Sequence, residues 1–136
     1  FHPLQIDIRE PGEGEIYFEV AYAGICHSDI HAAREAASRI EVAPAVMAYL
    51  VDVCRATRTS PAVRLGVSPR GATSLLRTAR VWAFLQGRGF VTPDDVKTMA
   101  PSTLAHRLGL RAEANLEGIT AVNVISGVLA ATPVPR

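Results

Sequence analysis

Aromatic residues are scarce: four Phe, three Tyr and one Trp account for 6% of the 136 residues. A core built from this chain must therefore rest on Leu, Val, Ile and Ala, within an apolar fraction of 49%. No apolar run reaches the roughly 18 residues that a membrane-spanning helix needs. No charged-then-apolar-then-small segment opens the chain as a secretory signal would. A starting Met is missing, so the chain reads as an internal piece or a processed product. Cysteine is limited to Cys26 and Cys54, too few for a disulfide scaffold or a four-cysteine zinc knot. With 20% charged residues the composition is globular and excludes wholesale disorder. The expectation is a soluble cytoplasmic domain without a membrane partner.

The charge is unevenly spread. Residues 1–36 hold two basic and seven acidic groups, a net of −5, whereas residues 37–136 hold twelve basic and six acidic groups, a net of +6. Such a step within one small chain points to two origins. The basic groups are dispersed rather than clustered with aromatics, so no nucleic-acid partner is expected.

The periodicity changes where the charge does. Leu4, Ile6 and Ile8 alternate with polar neighbours, as do Ile16, Phe18, Val20 and Tyr22, with Glu10-Pro11-Gly12-Glu13-Gly14 as a turn between them. This predicts an N-terminal β-hairpin. An isolated hairpin is marginal in water and its edges invite pairing, so a homodimer joined through the N-terminal strands is expected.

From about Ala32 onward the spacing is helical. Pro44 suits a first turn, and Val46, Leu50, Val53 and Cys54 fall on one face before Thr59-Ser60-Pro61 closes the helix. Ser68-Pro69 opens a second helix as N-cap and first residue, with Ala72, Leu75, Leu76, Ala79, Trp82, Ala83 and Leu85 on its buried face and Gly87 and Gly89 at its end. Thr92-Pro93-Asp94-Asp95 starts a third, with carboxylates at the positive end of the dipole. Pro101 is expected to kink or divide it. Thr120 caps a last helix carrying Val124, Ile125, Val128 and Leu129, stopped by Pro133 and Pro135. The fold class is mainly α: a small bundle of four or more helices over 36–136 behind a hairpin segment over 1–35.

Two resemblances cover different parts. Ala23-Gly24-Ile25-Cys26-His27-Ser28-Asp29-Ile30-His31, after the two-strand pattern, resembles the N-terminus of zinc-dependent medium-chain alcohol dehydrogenases, most closely the cinnamyl-alcohol type. That resemblance implies Cys26 as a ligand of the catalytic zinc and Ser28 and His31 in the proton relay. From about residue 37 the chain resembles the C-terminal lid of MoxR-family AAA+ ATPases. The match runs through residues 51–58, through Leu65-Gly66-Val67-Ser68-Pro69-Arg70-Gly71-Ala72, through Val91-Thr92-Pro93-Asp94-Asp95-Val96-Lys97, and through His106-Arg107-Leu108 and Val134-Pro135-Arg136. The chain thus reads as a chimera with its seam within Ala32–Ile40.

Little chemistry survives such a splice. A catalytic zinc needs three protein ligands, and the family's remaining ligands are missing here. Cys26 and His31 stay as metal candidates, but on a helix Cys26, Asp29 and His31 do not share a face, and on a strand Cys26 and His27 point oppositely. No Rossmann glycine fingerprint and no Gly-x-x-x-x-Gly-Lys-Ser/Thr loop is present, so no cofactor and no autonomous catalysis are expected. Arg70 is the nucleotide-site candidate. A cation at the second position of a helix is disfavoured by roughly 0.3–1 kcal/mol, whereas an anion docked there would meet free amides and the guanidinium together. The resemblance implies Arg70 as a vestigial sensor-2 arginine, touching ATP phosphates at most weakly. Arg55, Arg58 and Arg64 are expected on solvated faces, Trp82 in the core, His106 in a structural role near a helix end, and Cys54 as a small buried residue. The leading reading is a chimeric, non-catalytic protein. A nucleotide-responsive lid fragment acting through Arg70 and a small zinc protein centred on Cys26 are the alternatives.

Overall fold

The computed structural model describes residue 35 and residues 37–135. The expected N-terminal hairpin, Cys26, His31 and the dimer that rests on the hairpin lie outside these residues. Helix α1 is Pro44–Thr59, strand β1 Val63–Leu65, helix α2 Pro69–Leu85 and helix α3 Pro93–Leu104. A single 3-10 turn, Ala105–Arg107, leads to strand β2, Gly109–Leu110, then to helix α4, Ala112–Leu116, and helix α5, Ala121–Ala131. The described part is a mainly helical bundle, as the apolar spacing predicts.

One core joins all four long helices. Val46, Tyr49, Leu50, Val53 and Cys54 of α1 meet Leu75, Ala79 and Ala83 of α2, Val96, Ala100 and Leu104 of α3, and Val124, Ile125 and Val128 of α5. Alanines on α2 and α3 allow their close approach, and Leu, Val and Ile supply most of the filled volume, as the shortage of aromatics requires. Three starts are set by the residues the sequence marks. Ser68 accepts from the Gly71 N–H at 3.3 Å, and Thr92–Asp95 and Thr120–Asn123 each form a reciprocal capping box.

Three expectations are corrected. Pro101 does not divide α3, which runs unbroken to Leu104. The proline sits in the last turn, where Ala100, Thr103 and Leu104 are buried; packing of those residues outweighs the roughly 3 kcal/mol that an interior proline costs. Leu85 is 66% exposed rather than buried, because it falls on the side of α2 away from Ala83, which is 0% exposed. Trp82 is half-buried at the surface of α2 rather than enclosed in the core.

Two features left no periodic signal. Strands β1 and β2 pair antiparallel, Val63 with Leu110 and Leu65 with Gly109, and the Arg111 N–H extends the pairing to the Ala62 carbonyl at 2.9 Å. A parallel bridge joins Glu41 to Phe90: the Glu41 N–H donates to the Gly89 carbonyl and the Val91 N–H to the Glu41 carbonyl, each at 2.9 Å. It ties the approach to α1 onto the α2–α3 turn.

Candidate functional site

The start of α2 is built by α1. Thr57 is fully buried; its hydroxyl donates to the Cys54 carbonyl at 2.6 Å and accepts from the Val67 N–H at 3.0 Å. Arg58 Nε donates to the Val67 carbonyl at 3.0 Å. Both backbone groups of Val67 are thus held by adjacent side chains of α1, and Val67 itself is buried. This fixes the residue immediately before the Ser68 cap.

The flanking glycines are steric necessities. A Cβ on Gly66 would lie 2.6 Å from Arg58 Cγ and 2.8 Å from Arg58 Cα, and one on Gly71 would lie 2.6 Å from Val67 Cγ1. The Gly66-to-Gly71 stretch is therefore a close-packed hinge between α1 and α2 that presents Arg70 outward. Arg70 is exposed at the second residue of α2 and has no acidic partner among the described residues. Its carbonyl accepts from the Thr73 and Ser74 hydroxyls, both at 2.9 Å, which ties down the first turn beneath the guanidinium.

Sequence reasoning passed over Arg107. Its Nε donates to the Thr103 carbonyl at 3.1 Å, and its aliphatic stem runs beside Gly71, with Cδ 3.6 Å from where a Cβ would stand. A second cation is thereby placed against the opening turn of α2; His106-Arg107-Leu108 was its signal in the sequence. The remaining candidates face solvent, brace the backbone or are buried. Arg55 lies 3.8 Å from Asp52 in an exposed pair, Arg58 clamps Val67, and Arg64 is exposed on β1. His106 is exposed on the 3-10 turn. Cys54 is free and 3% exposed, and burial pushes its thiol up to about 11 against the smaller opposing effect of Arg58.

With Pro69 lacking an N–H and the Gly71 and Ala72 N–H groups taken by Ser68, the helix start offers the Arg70 N–H and two nearby cations, which suits a phosphate or carboxylate. No cluster of three or more His, Cys, Asp or Glu suited to a metal ion occurs among the described residues, and none of their helices is long and apolar enough to cross a membrane.

Comparison with known proteins assigns this architecture. The family model of the AAA lid domain matches residues 55–128, more than half of the chain. The chain belongs to that family. Among curated proteins it is 44% identical over 87 residues to the uncharacterized protein YeaC of Bacillus subtilis, covering 64% of this chain and 27% of YeaC. It is 39% identical over 84 residues to protein MoxR of Methylorubrum extorquens, covering 52% of this chain and 24% of MoxR. The chain thus spans about a quarter of either relative. The crystal structure of a candidate ATPase from Cytophaga hutchinsonii superposes with a TM-score of 0.73 at 26% identity, over 80% of this chain and 36% of that one. A separate, short match of 32 residues at 50% identity links the chain to the aldehyde reductase YahK of Escherichia coli, covering 24% of this chain and 9% of the reductase.

Proposed function

We propose that this chain is a lid of the MoxR-type AAA+ class without catalysis of its own, joined to an N-terminal segment of separate, alcohol-dehydrogenase-like origin. The observation that carries the reading is the exposed Arg70 on the Ser68-capped start of α2, held by Thr57 and Arg58 in a domain of the lid family. The MoxR relatives support the lid assignment, and the short reductase match supports a second origin for part of the chain. The resemblance implies that such a lid contributes a cation to phosphates that other residues bind. Arg70 is suited to that task, and the sequence holds no Gly-x-x-x-x-Gly-Lys-Ser/Thr phosphate loop.

The same observation favours a second reading, in which the chain still meets ATP phosphates weakly through Arg70. Phosphate release from magnesium-ATP by the purified chain tests the first reading, and binding of pyrophosphate by wild type against Arg70→Ala tests the second. No release above buffer is expected from the wild type or from Arg70→Ala. Hydrolysis that disappears in Arg70→Ala would overturn the non-catalytic assignment.

A further inference from the structure

The outer face of α2 is basic without compensation. Arg70, Arg77 and Arg80 are its only charged residues from Pro69 to Leu85, and none of the three has an ion-pair partner among the described residues. Between α2, α3 and the 3-10 turn lies an open groove of about 500 Å³. Trp82, Leu85 and Met99 give it an apolar floor, and Arg77, Arg107 and His106 line its walls. No acidic residue among the described residues lines it. A second, open cavity, of about 320 Å³, shares Arg77 and Val81 with the groove and is also lined by Arg80, Ala37 and Ser38. Arg80 Nε is buried without a hydrogen-bond partner among the described residues, an arrangement that is costly unless an acceptor is supplied.

The matching charge lies on this chain. Residues 1–34 carry Asp7, Glu10, Glu13, Glu15, Glu19 and Asp29 against only Arg9 and Arg34, interleaved with Leu4, Ile6, Ile8, Ile16, Phe18 and Val20. They join the described domain at residues 35–38, and Ala37 and Ser38 form the rim of the second cavity. We propose that the Arg77–Arg107 groove is the docking surface for the acidic, apolar-rich N-terminal segment of the same chain. Its carboxylates would face Arg77, Arg80 and Arg107, and its apolar residues would cover Trp82 and Leu85. The role goes beyond that of a lid: the borrowed segment is held by electrostatic complementarity to a surface the lid already carries.

Trp82 is the chain's only tryptophan and lines the groove, so acrylamide quenching of the full chain reads the docking directly. Protection of Trp82 is expected in dilute buffer and is lost near 1 M salt, where the screening length falls to about 3 Å. The variant Glu13→Lys/Glu15→Lys/Glu19→Lys loses it, as does Arg77→Glu/Arg107→Glu, and the chain carrying both sets regains it. Helical circular dichroism confirms that each variant is folded, and the N-terminal set leaves the bundle's own residues untouched. Equal quenching in the wild type and the N-terminal variant overturns the proposal. Protection that disappears on dilution also overturns it, because the segment would then belong to a neighbouring copy.

Discussion

Arg88 and Asp95 close the turn between α2 and α3 with a two-pronged ion pair: Nη1 of Arg88 donates to Oδ2 of Asp95 at 2.7 Å, and Nη2 donates to Oδ1. Arg88 reaches Asp95 because Gly87 reverses the chain at φ +71°. The same carboxylate accepts from the Thr92 N–H at 2.7 Å and from its hydroxyl at 2.9 Å. One buried acid thus caps α3 and anchors the loop that leaves α2.

Asp95 makes the fold acid-sensitive. Burial pushes its pKa up, but the hydrogen bonds from Arg88 and Thr92 and the charge of Arg88 outweigh that and hold it below the ordinary value of 3.8. A carboxyl depressed on folding stabilises the native state above its unfolded pKa and loses that contribution as pH falls through the folded value. Asp95→Asn is expected to lower stability by about 1–2 kcal/mol at neutral pH. It should also flatten the decline between about pH 5 and pH 2. Urea titrations of both chains across that range check this; parallel declines would refute it.

The glycines of the α1–α2 hinge are predicted to differ sharply from one in α5. Gly66→Ala forces a methyl to 2.8 Å from backbone of α1 and should cost about 1–3 kcal/mol. Gly127 lies in the interior of α5 with nothing within 4 Å of a new Cβ, so Gly127→Ala should stabilise by about 0.5–1 kcal/mol. Thermal melts of the two variants are expected to move in opposite directions.

Cys54 is predicted to be inert. With its thiol at about 11, almost none is thiolate at neutral pH, and burial blocks access to the remainder. Alkylation followed by peptide mass analysis should leave Cys54 unmodified in the native chain and modify it fully in urea. Rapid native labelling would show that α1 opens locally.

Much of this molecule was legible in residue spacing. The caps at Ser68, Thr92 and Thr120 and the apolar faces of α1 and α5 follow from short-range rules, because hydroxyls, prolines and 3.6-residue periodicity act within one turn. Pro101 misled because a local penalty was weighed without the packing of Ala100 and Leu104. Leu85 and Trp82 misled because the buried stripe of α2 is narrow, centred on Leu75, Ala79 and Ala83, and both residues lie off its centre. Arg70 was visible as a cation at an awkward helix position. The clamp on Val67 by Thr57 and Arg58 was not, since it joins residues about ten apart across a strand and a turn. The pairing of β1 with β2 rests on contacts between segments too short to carry a period.

Arg70 is the account's central residue. Its place at the positive end of α2 should make it a mild liability in the free chain, worth roughly 0.3–1 kcal/mol. The most direct measurement is an amide NMR titration of the full chain with inorganic pyrophosphate, repeated on Arg70→Ala. The account predicts shifts concentrated at Arg70, Gly71 and Ala72, abolished by the substitution while the rest of the spectrum is retained. Shifts centred elsewhere, or unchanged in Arg70→Ala, would contradict it.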